Sequence, residues 1–223
     1  MPKYKLICFD MDGVIFSSEN IIYKAYQNAA TQYNIENEGQ VTVPNTPTIL
    51  QEVGKPVPVI FQNLFPQLNQ SQQSHLSKMC LDELIELVLQ KKGLLYPQVD
   101  TTLSSLKEKG VKIALASNGR SFYLEAILEA YQLEKYFDVT HYVDEEIDGS
   151  PLETKTRLIV ESMKDFKVST KETLMVGDRI TDQVAAKEAN VDFAAMLEGH
   201  SSELVGSDAS YFLHSLSELI PII

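Results

Sequence analysis

A chain of 223 residues with 44% hydrophobic and 22% charged residues has an ordinary folded composition, and its length suits a core domain carrying an insertion better than two independent domains. Its 19 basic against 31 acidic residues leave a net charge of -12, which argues against nucleic acid or an anionic membrane as the main partner and demands a local positive site for any small anionic substrate. The two cysteines, Cys8 and Cys80, make no metal-ligand spacing, and Cys8 falls in an apolar run that suits a reduced, buried thiol.

The first expected element is a strand over Leu6 to Phe9, ending in Asp10-Met11-Asp12-Gly13-Val14. The N-terminal residues lead straight into it without a long apolar stretch, so neither a signal peptide nor a membrane span is expected, and a cytoplasmic location is. Helical spacing of Ile22, Ala25, Tyr26, Ala29 and Tyr33 follows, with Ser17 or Ser18 as cap. Thr46-Pro47 suggests an N-cap with proline in the first turn, Gly54 a stop, and Pro56 to Phe65 a short helix. A longer helix is expected from Ser74 to Lys92, so residues 16–94 form an all-helical insertion.

From Gln98 the chain alternates. A helix to Lys109 stops at Gly110, and strands are expected at 111–117, 137–142, 173–178 and 192–197, separated by amphipathic helices at 121–131, 154–163 and 182–189. A last strand near Ser210 to Leu213 and a helix from Ser215 close the chain. Short apolar runs alternating with amphipathic helices predict an α/β fold, a doubly wound, Rossmann-like parallel sheet covered on both faces. The core is thus expected at 1–15 and 95–223 and the helical cap at 16–94.

In a parallel sheet all strand carboxyl ends share one edge, so residues just after each strand converge there. Asp10 and Asp12 follow the first strand, and two carboxylates this close need a cation, a shared proton or a hydrogen-bond cradle between them. Ser117-Asn118-Gly119 offers a hydroxyl and turn N–H groups suited to a phosphate oxygen at a helix N-terminus. Asp178 and Asp182 supply hard oxygen ligands suited to Mg²⁺, directly or through water. Each loop alone would be an ordinary cap or turn. All three in one ordered βα chain make a site.

With `FDMDGV`, `ALASNG`, `LMVGDRITD`, `AAKEANV` and `LEKYFD` in place, the chain resembles the haloacid dehalogenase superfamily, in the branch of phosphoglycolate phosphatase and β-phosphoglucomutase. The resemblance covers nearly the whole length. It implies a Mg²⁺-dependent phosphatase acting on a small phosphorylated metabolite. Asp10 would be the nucleophile, Asp12 the general acid/base, Ser117 with Asn118 the phosphate binders, and Asp10, Asp12, Asp178 and Asp182 the metal site. The insertion would be the cap that selects substrate.

The family also needs a lysine, usually just before a proline. Here `DGSPLETKTRL` departs from that pattern, with Ser150 at the expected place and Lys155 five residues on; Lys155 is expected to fill the role. Two alternatives stand beside hydrolysis: a hexose-phosphate mutase, disfavoured because residues 16–94 hold no arginine, and a phosphate-binding regulatory member without turnover. Lys55, at the Gly54-Lys55-Pro56 turn, is the candidate to meet a substrate carboxylate, and Arg120 is either a contact to a second anion or a surface residue. The acidic run Asp144, Glu145, Glu146 and Asp148 suits a solvated face, and His75, His141, His200 and His214 show no metal spacing. Phosphoglycolate, a sugar phosphate and a nucleoside monophosphate remain open as substrates.

Overall fold

The structure is a computed structural model describing residues 2–37, 41–144, 146–147, 150–151, 154–199 and 204–223. Strand β1 (Leu6–Phe9) is followed by β2 (Phe16–Ser17) and four helices, α1 (Glu19–Asn37), α2 (Thr46–Leu50), α3 (Val57–Leu64) and α4 (Gln70–Leu89). Strand β3 (Leu94–Leu95) returns the chain to α5 (Val99–Glu108), β4 (Lys112–Leu115), α6 (Ser121–Ala130) and β5 (Val139–Thr140). Then come β6 (Glu146–Ile147), β7 (Ser150–Pro151), α7 (Lys155–Phe166), β8 (Thr173–Gly177), α8 (Ile180–Glu188), β9 (Asp192–Met196) and β10 (Tyr211–Leu213).

Six strands form one sheet in the order β10-β9-β8-β1-β4-β5, and every neighbouring pair in it is parallel. The expected doubly wound α/β fold is therefore present. The twofold side-chain period of β1 divides the core. Ile7 and Phe9 pack with Leu103 and Leu106 of α5 and Leu124 and Ile127 of α6. Leu6 and Cys8 face the other way, onto Leu158 and Ile159 of α7 and Ala185 and Ala186 of α8. Because β1 is covered on both faces, all four of its residues are apolar and fully buried.

Helices α1 to α4 bury a cluster of their own, in which Tyr26, Phe61 and Phe65 stack with ring centroids 5.7 to 6.4 Å apart. The chain enters and leaves this helical layer through the antiparallel pair β2 and β3, where Phe16 opposes Leu95. Gly93 is required beside that pair, since a Cβ there would sit 2.1 Å from the Phe16 ring.

Several boundaries differ from the sequence expectation, each for a local reason. Helix α4 starts at Gln70 rather than Ser74 because Asn69 and Gln72 form a reciprocal capping box; apolar periodicity begins only at Leu76 and does not register that polar first turn. Asn45, not Thr46, caps α2 and puts Pro47 at its second position. Edge strand β5 is two residues long and the segment expected as a closing helix is a short 3₁₀ turn, Leu216–Leu219. Two short strands, β6 and β7, pair antiparallel beside the acidic stretch. Glu145, Asp148 and His200 lie outside the described residues. Among the described residues no helix is long and apolar enough to cross a membrane.

At the sheet end opposite the strand carboxyl termini, Asp138 ties β5 to its neighbours. Its carboxylate meets Lys107 at 2.9 Å and Lys112 at 3.0 Å and accepts the Ile113 N–H at 3.0 Å. Burial alone would raise its pKa, but these partners outweigh burial and hold it below the ordinary carboxylate value. A depressed folded-state pKa contributes stability above the unfolded value of about 3.9 and loses it as pH falls through the folded value. Asp138→Asn is therefore expected to cost about 1 kcal/mol at pH 7, with the difference from the parent shrinking in urea unfolding curves as pH falls through the depressed folded-state value. A gap that persists in strong acid would refute the ionic assignment.

Candidate active site

Strand β1 lies between β8 and β4 in the sheet, so the residue after it stands between the loops that follow both neighbours. Register enforces this: Phe9 pairs with Leu115 on one side and Val176 on the other, while the Asp10 N–H donates to Val176 O at 2.9 Å and the Ala116 N–H to Phe9 O at 2.8 Å. The Asp10 carboxylate is buried and accepts the Met11 N–H at 2.8 Å. The chain then turns tightly, Phe16 N–H donating to Met11 O at 2.9 Å. Gly13 at that turn has φ +84°, and a Cβ on it would lie 2.2 Å from the Asp178 carboxylate. Both the conformation and the space require glycine.

Asp10, Asp178 and Asp182 are all buried, and one carboxylate oxygen from each lies within 4.8 Å of the other two. Lys155, the first residue of α7 and also buried, inserts its ammonium among them, 2.9 Å from Asp10 Oδ2 and in a short contact with Asp182. Thr154 caps α7 by accepting the Arg157 N–H at 3.3 Å, which fixes the helix start so that Lys155 faces the sheet edge. Burial by itself lowers an ammonium pKa, but the charges of Asp10 and then Asp182 outweigh it and raise that of Lys155, so it stays protonated. Asp182 also accepts the Arg179 N–H at 2.9 Å at the start of α8. Burial and the Asp10 charge push Asp182 up to about 6 against the pull of Lys155.

Among the described residues, the three buried carboxylates lie beside the buried Lys155 ammonium, which contacts Asp10 and Asp182, and the Arg179 guanidinium stands 3.8 Å from Asp178. The oxygen-only donor set of this cluster fits a hard divalent cation such as Mg²⁺. The Asp12 carboxylate lies apart from the three: it accepts the Tyr123 hydroxyl at 3.0 Å, and the Ser18 side chain also bonds to it. Asp12, expected as a fourth metal carboxylate, is bonded to Tyr123 of α6 and stands outside the group of three while lining the same cavity as Asp10. Burial first, and the Asp10 charge second, push Asp12 up to about 7. A carboxyl in that range can both give and take a proton near neutrality.

Above this floor lies a cavity of about 100 Å³ lined by Asp10, Asp12, Ser117 and Asn118 from the sheet edge and by α1, α3 and α4 from the helical layer. Ser117 is buried, its Oγ accepting the Gly119 N–H at 3.3 Å. Asn118 instead reaches across to the helical layer, donating to Gly54 O at 2.8 Å. Arg179 does the same from α8, donating to Leu50 O. Arg120 stands at the start of α6 and lines the cavity. Lys55 lines it too, but its ammonium is paired with Glu52 at 2.8 Å, and Glu52 also accepts from Asn63 at 2.7 Å. Among the histidines, His141 pairs with Asp165 at 2.7 Å and His214 with Glu198 at 3.2 Å, both away from the cavity.

Sequence inspection missed Tyr123, Ser18 and Arg179 as members of this region. Position was the available signal: Tyr123 lies in the first turn of the helix after Ser117-Asn118-Gly119, and Arg179 directly follows Asp178.

A model of the family described as haloacid dehalogenase-like hydrolase matches residues 7–196. The chain belongs to that family. It is 27% identical over its whole length to a phosphoglycolate phosphatase of Vibrio cholerae, covering 98% of that protein. It is 26% identical, over 83% of the chain and 80% of the relative, to a Clostridium perfringens protein provisionally named pyrophosphatase PpaX. Among solved structures, a predicted phosphoglycolate phosphatase from Haemophilus somnus superposes with a TM-score of 0.83 at 21% identity, covering 100% of this chain and 99% of that one. This haloacid dehalogenase-like hydrolase is thus similar along its full length to phosphatases.

If the carboxylate group holds a divalent cation, the cation stabilises the folded state by mass action. Mg²⁺ at 100 times its dissociation constant is expected to add about 2.7 kcal/mol, read as a rise in Tm. Asp178→Asn should remove most of that rise; an undiminished Mg²⁺ effect in the variant would place the ion elsewhere.

Proposed function

We propose that the protein is a Mg²⁺-dependent phosphomonoesterase that acts on a small phosphorylated metabolite through an aspartyl-phosphate at Asp10. The observation that carries this reading is the buried ammonium of Lys155 between Asp10 and Asp182, beside a cavity that Asp10 and Ser117 both line. Asp10, Asp178 and Asp182 would hold the cation, which when bound neutralises charge on the phosphoryl oxygens.

A carboxylate oxygen of Asp10 attacks phosphorus in line, forming the Asp10–phosphorus bond as the bond to the leaving oxygen breaks. Asp12 gives that oxygen its proton. In the second half a water attacks the same phosphorus, Asp12 takes the water's proton, and inorganic phosphate leaves with Asp10 restored. Tyr123 and Ser18 hold the Asp12 carboxyl through both transfers. Lys155 restrains Asp10 and offsets charge on the phosphoryl group, and Ser117 offers its hydroxyl to a phosphoryl oxygen. Splitting a very slow hydrolysis into two charge-compensated transfers is the economical route to turnover.

Residues 16–94 serve as the cap and residues 1–15 with 95–223 as the catalytic core in this reading. The free, buried thiols of Cys8 and Cys80 accord with a reducing, cytoplasmic setting. The Lys155 position weighs against a member without turnover, and the absence of arginine in the cap weighs against a mutase, which must hold a second phosphate.

In purified protein with Mg²⁺ and p-nitrophenyl phosphate, Asp10→Asn is expected to lower kcat by more than about 10³-fold, and Asp12→Asn by about 10²-fold or more. Both should retain the parent's circular dichroism. Comparable phosphate release from folded Asp10→Asn would refute the covalent mechanism.

A further inference from the structure

The cavity above Asp10 has a carboxyl floor and a largely apolar roof. Its roof is apolar: Ile22 and Tyr26 from α1, Ile60 and Phe61 from α3, and Leu81 and Leu84 from α4. Two basic side chains line it, Lys55 and Arg120. Lys55 is already neutralised by Glu52 at 2.8 Å, and Glu52 is itself held by Asn63. Arg120 also lines two outer grooves beside Lys78, which puts it at the rim rather than the roof. The carboxyl groups of Asp10 and Asp12 form the cavity's floor.

A second anion on the substrate would therefore be stripped of water beneath apolar side chains, with the paired Lys55 and the rim residue Arg120 as the cations among the described residues that line the cavity. An alkyl group in the same place loses nothing by desolvation and gains contact with the roof. Size sets a further limit. An apolar cavity of about 150 Å³ holds benzene, and this one offers about 100 Å³.

Resting on the phosphatase reading of the site, we infer that the substrate class is a monophosphate ester of a small, uncharged and largely apolar alcohol, and not phosphoglycolate or pyrophosphate. This departs from the substrates for which relatives are named, and it removes Lys55 from the carboxylate-binding role expected of it in the sequence.

Isobutyl phosphate and phosphoglycolate make the test, because they differ in an isopropyl group against a carboxylate of similar shape. Calorimetric binding to the Asp10→Asn variant with Mg²⁺ is expected to favour isobutyl phosphate by at least about tenfold, and kcat/KM of the parent enzyme should show the same order. Ile60→Lys, which places an ammonium on the half-buried edge of the roof, should narrow or invert the ratio. Equal or tighter binding of phosphoglycolate, or no binding of either ester at millimolar concentration, would overturn the inference. If the binding preference holds but the parent turns over neither ester nor p-nitrophenyl phosphate, the phosphatase reading fails while the substrate-class assignment of the cavity stands.

Discussion

Three carboxylates brought together in a protein interior repel one another, and the rest of this structure is organised around making that tolerable. Lys155 is the direct answer, an ammonium held between Asp10 and Asp182 where burial would otherwise disfavour its charge. The cost of desolvating such a group is several kcal/mol per ion, recovered only with close partners on well-fixed backbone. The backbone supplies that fixity. Glycines stand where the carboxylates need room: a Cβ at Gly13 or Gly199 would strike Asp178, and one at Gly177 would lie 2.3 Å from Asp182. Helix α7 starts with its lysine, and α8 starts with an N–H directed at Asp182.

The site has a polar floor and an apolar roof, supplied by different parts of the chain. The sheet edge contributes the charged and hydroxyl groups that a phosphoryl group requires, whereas α1, α3 and α4 contribute the hydrophobic wall. Communication between the two layers is short and specific: side chains of Asn118 and Arg179 donate to backbone carbonyls of Gly54 and Leu50. Both donors neighbour residues of the floor, Ser117 and Asp178. The two layers thus touch one residue away from Ser117 and Asp178, while the side chains that α1, α3 and α4 bring to the cavity carry no charge.

Stability and chemistry are also spatially separated. Asp138 and its two lysines brace the sheet at the end away from the carboxylates, and the two aliphatic layers over β1 are closed by α5, α6, α7 and α8 without help from the polar site. The helical layer keeps a third cluster of stacked aromatics. Clustered carboxylates at that sheet edge can therefore persist because burial elsewhere holds the fold.

The sequence by itself determined the sheet and the edge at which the candidate site lies. Doubly covered strands must be continuously apolar, as in Leu6–Phe9, and parallel strands must end together, so Asp10, Ser117 and Asp178 could be assigned to one edge from strand order alone. It also favoured Lys155, although only its burial between two carboxylates shows that the side chain reaches them. Other features belong to tertiary structure because they depend on partners remote in sequence or on exact reach. Tyr123 meets Asp12 across 111 positions, and Asn118 turns to Gly54 instead of toward the cavity floor. Lys55 is the sharpest case. A lysine at a cavity-facing turn suggests an anion site, but Glu52 three residues earlier and Asn63 from α3 close around the same charge, and an ion pair made within the wall leaves an apolar roof that no local pattern announces.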